Sequence, residues 1–584
     1  MNQNDILYKA AHILPSPRQY DWMNLELTAF LHFSLNTYYD REWGDGKEDP
    51  QRFNPENCEP REWIRLLAEC GFKLAILTCK HHGGFCLWPS AYTDYSVKSS
   101  PWKNGEGDLV REVALACNEF GVKFGVYLSP WDRHEKSYTD SPVYNRYFLN
   151  QLRELLTGYG KVACVWFDGA RVPVNGRTQE YAWDEYYALI RELQPEALIS
   201  CVGPDIRWCG NEEGKPRKAE WAVVNVNQPL PQFNTENYKR EDVGEPGDGR
   251  NLRWYPSEVD TSIRPNWFYH QNDNGEVKSL RKLFDIYCNS VGHNAVLLLN
   301  LPPDPQGRIC EVDAGRLREF AAFLKEGYAV NFMENATLRK PSENESVFQL
   351  KNPATFNTLV LQEDILRHGQ RVESYAVDIN EMGAWRNIAT GCTIGRKEIV
   401  RFPEVTSDSL RVRITNCRWQ PELLQPGIFR FPEIVEEGKS CCDEVSVAEI
   451  DLTASSADER FPVQNLKNGE AWFSRAGESL PQWIMAELTH PHRIRGFFIL
   501  PNPKTSSGLI RDWQCEVSTD AEHWQVIAQG EFQNLENNPI FQKVYFENKI
   551  ENIRFVRVKA VSTYDGTSVI SLEKFGIIAE PQEE

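Results

Sequence analysis

The stretch K-V-A-C-V-W-F-D-G-A, Lys161 to Ala170, decides how the first half of the chain is read. Its apolar run, Val162 to Phe167, ends abruptly at Asp168, and a glycine follows. An unbroken apolar segment of this kind predicts a strand buried on both faces, as in a parallel sheet. A carboxylate at the C-terminal tip of such a strand is where barrel enzymes place reacting groups. Gly169 lets the chain turn away and leaves room above the acid. Taken alone, Asp168 reads equally well as the cap of a following helix.

Six further strand-like segments accompany it: Leu25 to Phe33, Lys73 to Thr78, Lys123 to Leu128, Ala197 to Val202, Trp221 to Val226 and Ala295 to Asn300. Amphipathic stretches such as Pro60 to Cys70 and Asp108 to Phe120 separate them. Strand alternating with helix predicts a (β/α)8-like barrel over residues 1–335, irregular in its later part because seven strands are found where eight are needed. From about Asn335 the pattern changes to short alternating strands, the mark of β-sandwiches. Phe356-N-T-L-V-L, Val372-E-S-Y-A-V-D-I and Ala384-W-R-N-I-A-T-G form one series; Ile494-R-G-F-F-I-L, Asp512-W-Q-C-E-V-S-T and His523-W-Q-V-I-A-Q-G form a second. Each closes on a basic strand, Leu410-R-V-R-I-T or Phe555-V-R-V-K-A. The expected architecture is a multidomain chain: a barrel, a β-sandwich at 336–440 and a second β-sandwich at 441–584. The boundary falls in the acidic linker Glu436 to Glu444.

Composition narrows the partners. A formal net charge of -19 on 584 residues argues against nucleic acid and anionic membrane surfaces. No apolar run reaches transmembrane length, so no membrane insertion is expected. Aromatic residues reach 12 %, a bias that suits sugar faces but also β-rich cores. The fifteen cysteines form no C-x-x-C pair, and Cys79, Cys164 and Cys201 lie in apolar runs, so free buried thiols are expected rather than a zinc site or a disulfide framework. The vicinal pair Cys441-Cys442 has no assigned role. The N-terminus, M-N-Q-N-D-I-L-Y-K, lacks the basic and apolar regions of a signal peptide, as a mature secreted enzyme also would.

The ends of the barrel strands form one mouth, and the residues found there are consistent. They are His32, the following loop with Glu42 and Trp43, the tandem His81-His82, Tyr127, Asp168 two residues after Trp166, and the loop G-N-E-E-G with Glu212 and Glu213. No H-E-x-x-H and no single-element two-His-one-carboxylate spacing occurs, so neither a metal nor a cofactor is expected. The nucleophile-elbow, phosphate-loop and dinucleotide fingerprints are also missing from the sequence. Two carboxylates on adjacent strand ends, ringed by His, Trp and Tyr, match the requirements of glycoside hydrolysis: one ionised acid and one protonated acid flanking the scissile bond.

Residues 25 to about 305 resemble the catalytic barrel of α-L-fucosidases, family 29 of the glycoside hydrolases. The motifs carrying the resemblance are F-L-H-F, E-W-G, K-H-H-G-G-F, G-V-Y, W-F-D-G and V-L-L-L-N-L-P-P. The resemblance implies a retaining exo-glycosidase acting on terminal α-L-fucose of a fucosylated oligosaccharide or glycoprotein glycan. Asp168 would be the nucleophile, and His32, Glu42, Trp43, His81, His82 and Tyr127 would hold the sugar hydroxyls. Trp166 and Trp267 are the candidates for the apolar wall against the 6-methyl group. Asn300 would be structural. The G-N-E-E-G segment resembles the branch acting on α-1,3/1,4-linked fucose in Lewis-type glycans, with Glu212 as acid/base and Glu213 as the fallback. A broad-specificity α-L-fucosidase and a non-catalytic carbohydrate-binding protein on the same barrel are the alternatives. Glycan foraging implies a periplasmic or secreted enzyme, while unpaired cysteines also fit a reducing, cytoplasmic compartment. The C-terminal segment resembles discoidin-like carbohydrate-binding modules through N-G-E-A-W-F-S and P-Q-W-I-M-A-E-L. Oligomeric state is not legible.

Overall fold

A computed structural model describes residues 2–174, 176–230, 241–435, 444–502, 504–505 and 507–580. Most of the acidic linker read as a domain boundary, with Cys441 and Cys442, lies outside the described residues. The chain falls into two compact units, Met1–Glu436 and Glu437–Glu584.

The first unit opens with a barrel. Its strands are β1 (Leu27–Leu31), β2 (Leu74–Lys80), β3 (Lys123–Leu128), β4 (Cys164–Phe167), β5 (Leu198–Cys201) and β6 (Arg207–Trp208). A separate pair, β7 (Val223–Asn225) and β8 (Leu252–Trp254), precedes the last two, β9 (Ser257–Ser262) and β10 (Val296–Asn300). The barrel order is β5-β4-β3-β2-β1-β10-β9-β6, and every neighbouring pair is parallel. β1, β2 and β10 are buried at every position, which is why their sequences are mostly apolar. Outside, the helix Pro60–Glu69 buries Trp63, Ile64, Leu66 and Leu67, with proline at its start. Leu109–Phe120 is capped by Asp108, whose carboxylate accepts from the Arg111 N–H, and stops at Gly121 in the left-handed conformation.

Two strand expectations need correction. The segment Trp221 to Val226 is not a barrel strand: its centre, β7, pairs antiparallel with β8 in a two-stranded sheet. The barrel instead takes β6 and β9, giving eight strands rather than seven. β9 reads S-E-V-D-T-S and is buried at all six positions. Glu258, Asp260 and Ser262 find partners inside the barrel, so hydropathy gave no sign of the strand.

β2 ends on Lys80, a charge taken wholly out of water. Its Nζ donates to Asp132 Oδ2 at 2.8 Å and to Gln151 Oε1 at 3.0 Å. Asp132 Oδ1 in turn accepts from the His134 and Glu135 N–H groups. The pair thereby fixes the segment leading into His81-His82 against the loop after β3.

The antiparallel sheet that follows the barrel has the strand order Thr337–Ser342, Glu345–Leu361, Glu398–Cys417, Val372–Glu381, Ala384–Gly391, with Gly427–Phe429 also beside Glu345–Leu361. Phe356, Leu359, Val377, Leu410 and Ile428 form its core. It is joined to the barrel by Lys397, which pairs with Glu26 at 2.8 Å, and by Phe431, whose ring lies 4.9 Å from that of Phe284.

The second unit holds a seven-stranded antiparallel sheet around Trp472, Ile484, Phe497, Val556 and Ile577. Its central run is Gln482–Pro501, Gln542–Ala560, Asp512–Ser518, Gln525–Glu531. The four strands of the first sequence series lie in the same order, first-fourth-second-third. The weak sequence repeat is therefore a repeat of topology. Among the described residues no helix is long and apolar enough to cross a membrane.

Removing one partner of a buried ion pair strands the other charge, at a cost of about 3–5 kcal/mol. Lys80→Met should therefore lower the unfolding free energy of the first unit by about that amount, read from urea unfolding followed by tryptophan fluorescence. A loss below ~1 kcal/mol would show that Asp132 is adequately held without the lysine.

Candidate active site

Every sequence-predicted site residue sits at the C-terminal end of the barrel strands or in the loops beyond them. β1 runs into His32, which is buried and donates from Nδ1 to Asn300 Oδ1 at 2.8 Å. Asn300 closes β10, and its amide nitrogen donates to the Trp267 carbonyl at 2.7 Å and to Ser262 Oγ at 2.9 Å. β2 delivers His81 and His82. Ser129 gives its own proton to the Trp131 carbonyl, so His82 Nδ1 donates to Ser129 Oγ at 2.7 Å. That bond turns His82 Nε2 toward Asp168 Oδ2, 3.8 Å away.

Asp168 follows β4 directly and is held on both oxygens. The Tyr127 hydroxyl donates to Oδ2 at 3.0 Å, and the Ala170 N–H donates to Oδ1 at 2.6 Å. Its side chain keeps 22 % exposure, so it faces the mouth. Aromatic rings line the floor around it. His81 stacks on Tyr127 with centroids 5.7 Å apart, and Tyr127 stacks on Trp166 at 5.1 Å. Trp43 stands edge-on to His82 at 5.8 Å, and Trp267 lies 5.1 Å from His32.

The two adjacent glutamates keep different company. Glu212 Oε2 accepts from the Trp267 indole N–H at 2.7 Å. Glu213 pairs with Lys215 at 2.5 Å and is 34 % exposed, an ordinary loop ion pair. Glu42 turns its carboxylate to the loop after β9, accepting from the Trp267 N–H at 2.9 Å, the Phe268 N–H at 3.1 Å and His270 Nε2 at 3.0 Å.

Sequence reasoning missed the two acids of β9. Glu258 and Asp260 are two residues apart on a strand, so both face the barrel interior. Glu258 Oε1 accepts from the Trp166 indole at 2.7 Å and from Ser200 Oγ at 2.7 Å. Asp260 Oδ1 accepts from the Trp208 indole at 2.6 Å. Trp166, expected only as an apolar wall, thus also has a polar edge fixed by Glu258. The signal available in the sequence was the acid spacing itself, E-V-D between small polar residues, a pattern that suits a strand only if its inner face is paired.

Burial dominates the electrostatics. It pushes the His32 pKa down to about 3 and lowers those of His81 and His82, the latter despite the nearby Asp168 charge. All three imidazoles are therefore neutral near pH 7. Burial raises Glu258 to about 7, against the opposing bonds from Ser200 and Trp166. Burial, and then the charge of Glu212, hold Asp260 well above the usual carboxylate range. The site thus offers Asp168 and Glu212 among neutral histidines and aromatic faces. Among the described residues no group of three His, Cys, Asp or Glu side chains is arranged to hold a metal ion.

Comparison with known proteins shows the family of the barrel. The α-L-fucosidase family model matches residues 15–327, and the F5/8 type C domain model matches residues 451–575. Alpha-L-fucosidase 1 of Arabidopsis thaliana is 39 % identical over 450 residues, covering 71 % of this chain and 87 % of that one. A glycoside hydrolase 29 family member from an unknown rumen bacterium is 36 % identical with a TM-score of 0.68, covering 98 % of this chain and 100 % of that one. A Ruminococcus gnavus GH29 fucosidase solved in complex with fucose is 29 % identical with a TM-score of 0.65, covering 72 % of this chain and 95 % of that one.

The raised pKa of Glu258 has a consequence for stability. A carboxyl whose folded pKa lies above its unfolded value of 4.5 stabilises the fold fully below that value and loses the contribution as pH rises through about 7. Glu258→Gln, which keeps an acceptor for Trp166 and Ser200, cannot titrate. The unfolding free energy of wild type relative to Glu258→Gln should fall by about 3 kcal/mol across that window. Parallel curves for the two proteins would place the Glu258 pKa near its ordinary value.

Proposed function

The chain belongs to the α-L-fucosidases, family 29 of the glycoside hydrolases, and we propose that it releases terminal α-L-fucose with retention of configuration, with Asp168 as nucleophile and Glu212 as acid/base. The observation that carries this reading is the setting of Asp168: a carboxylate at a strand tip, fixed by the Tyr127 hydroxyl and the Ala170 N–H yet open to the mouth.

In the first step an Asp168 oxygen attacks the anomeric carbon as the bond to the glycosidic oxygen breaks. Glu212 delivers its proton to that oxygen, and the aglycone leaves as an alcohol. In the second step Glu212 takes a proton from water, and the water oxygen replaces Asp168 at the anomeric carbon, regenerating both carboxyl groups. Glu212 is preferred to Glu213 because it faces Trp267, whereas Glu213 is committed to Lys215. The neutral histidines suit fucose hydroxyls. His32 and His82 each donate from Nδ1 to a protein oxygen, which leaves Nε2 as an acceptor, and His81 Nδ1 is buried with no hydrogen-bond partner among the described residues. Glu42, Trp43 and Tyr127 complete the hydroxyl contacts, and the faces of Trp166 and Trp267 form the wall for the 6-methyl group.

The G-N-E-E-G loop supports α-1,3/1,4-linked fucose in Lewis-type branched glycans as the substrate, and such glycans would be met in the periplasm or outside the cell. Fucose release from a Lewis trisaccharide, run beside an aryl α-L-fucoside, tests the assignment. Preferential release from the trisaccharide supports the linkage-selective reading; preferential release from the aryl fucoside would favour a broad-specificity enzyme instead. Proton NMR of the first-formed fucose should show the α-anomer, and a β-anomer would exclude the double displacement.

Asp168→Ala should abolish turnover of both substrates while fucose binding persists. Glu212→Ala should slow the trisaccharide by about 10²- to 10⁴-fold, the usual worth of a general acid. Azide should partly restore turnover of an aryl fucoside by Glu212→Ala, yielding a fucosyl azide. The same rescue in Glu213→Ala would move the acid/base by one residue.

A further inference from the structure

The loop between β9 and the helix Leu280–Ser290 is rooted from below. Arg264, fully buried, donates from Nε to Asp313 Oδ2 at 2.7 Å, from Nη2 to Asn274 Oδ1 at 2.8 Å and from Nη1 to the His270 carbonyl at 3.3 Å. Asn300 holds the Trp267 carbonyl. From the opposite side comes the loop after β1. His270 Nδ1 meets Asp40 Oδ1 at 2.6 Å, and its Nε2 meets Glu42 Oε1 at 3.0 Å.

A carboxylate on each ring nitrogen leaves one protonation state that satisfies both bonds. Neutral imidazole donates from one nitrogen only, whereas imidazolium donates from both. Burial works against a charge on His270, but the bonds and charges of Asp40 and Glu42 outweigh it and raise its pKa to about 10. The ring is a fixed cation linking two loops. Glu42, held on one side by His270, holds the Trp267 and Phe268 N–H groups on the other. Trp267 then has its backbone N–H, its carbonyl and its indole N–H all engaged, the last by Glu212 Oε2.

We infer that His270 is a positioning residue for the proton donor: clamped between Asp40 and Glu42, it sets Glu42, Glu42 sets the backbone of Trp267, and the Trp267 indole sets Glu212. The inference rests on the reading of Glu212 as acid/base. His270 touches neither sugar nor scissile bond in this scheme; it acts through two intermediates. Its loss should therefore appear where proton delivery limits the rate, not uniformly.

The test is a leaving-group series. The ratio of kcat/KM between an aryl α-L-fucoside with an acidic phenol, which leaves without a proton, and a Lewis trisaccharide, which needs one, cancels any loss of fucose contacts common to both. His270→Ala should lower the trisaccharide value by about 10- to 100-fold more than the aryl value, as expected when a catalytic group is displaced but not removed. In a Glu212→Ala background the same change should add no further leaving-group dependence. Asp40→Asn, a milder change at the outer end of the clamp, should shift the ratio in the same direction and covers the case in which His270→Ala fails to fold. Equal losses on both substrates, or a full added effect in the double variant, would overturn the inference and leave His270 as a support for fucose binding. If Glu212→Ala itself shows no leaving-group dependence, the acid/base assignment fails first, whatever His270 does.

Discussion

The mouth of the barrel depends on one buried amide. Asn300 uses its oxygen for the His32 ring and its nitrogen for both Ser262 and the Trp267 carbonyl. It thereby joins the ends of β1, β9 and β10 and fixes the loop that carries Trp267. A carboxylate at this position could not donate to Ser262 and the carbonyl, and an apolar residue would strip the His32 ring and the Trp267 carbonyl of the bonds they make to it. The one nitrogen and two oxygens of these neighbours demand a side chain with both donor and acceptor character in one plane. A motif residue at the end of an apolar strand, read only as structural, turns out to organise the geometry of groups on three sides of the site.

The other constraint is the pairing of buried charge in and around the barrel. Lys80 is answered by Asp132, Arg264 by Asp313, and Glu258 by an indole and a hydroxyl rather than a cation. The last choice matters because a carboxyl answered by neutral donors gains less for ionising than it loses by burial, and its pKa rises. Burial holds Glu258, behind Trp166, toward its neutral form, and burial together with the Glu212 charge does the same for Asp260.

Where apolar side chains fill both faces, the strands were legible: β1, β3, β4, β5 and β10 lie within the segments read from hydropathy, and β2 runs two residues past its own. β9 was not, because its inward face is acidic and its stability comes from partners on β4, β5 and β6 that no local window contains. The segment around β7 misled for the opposite reason. Val224 and Val226 are buried against Val243 and Tyr255, outside the barrel sheet. At the site, residue types were legible and pairings were not. His32, Glu42, Trp43, His81, His82, Tyr127, Trp166, Asp168 and Trp267 could be named from strand ends and motifs. That Glu42 faces a loop more than two hundred residues later, and that Glu212 rather than Glu213 meets Trp267, depends on contacts between distant segments. His270 went unread because a lone histidine in a loop has no local signature.

The root of the Trp267 loop lies on the barrel's outer wall. Asp313 belongs to the helix Glu311–Gly327, which packs outside the strands, yet its partner Arg264 holds the His270 carbonyl. The linkage ties the outer helix to the rim of the mouth through the single guanidinium of Arg264. Sequence drift on that helix is then not free in proportion to its distance from the sugar. Selection on turnover would reach residues that no substrate touches, and the helix would be expected to tune activity in steps too small to disturb the fold.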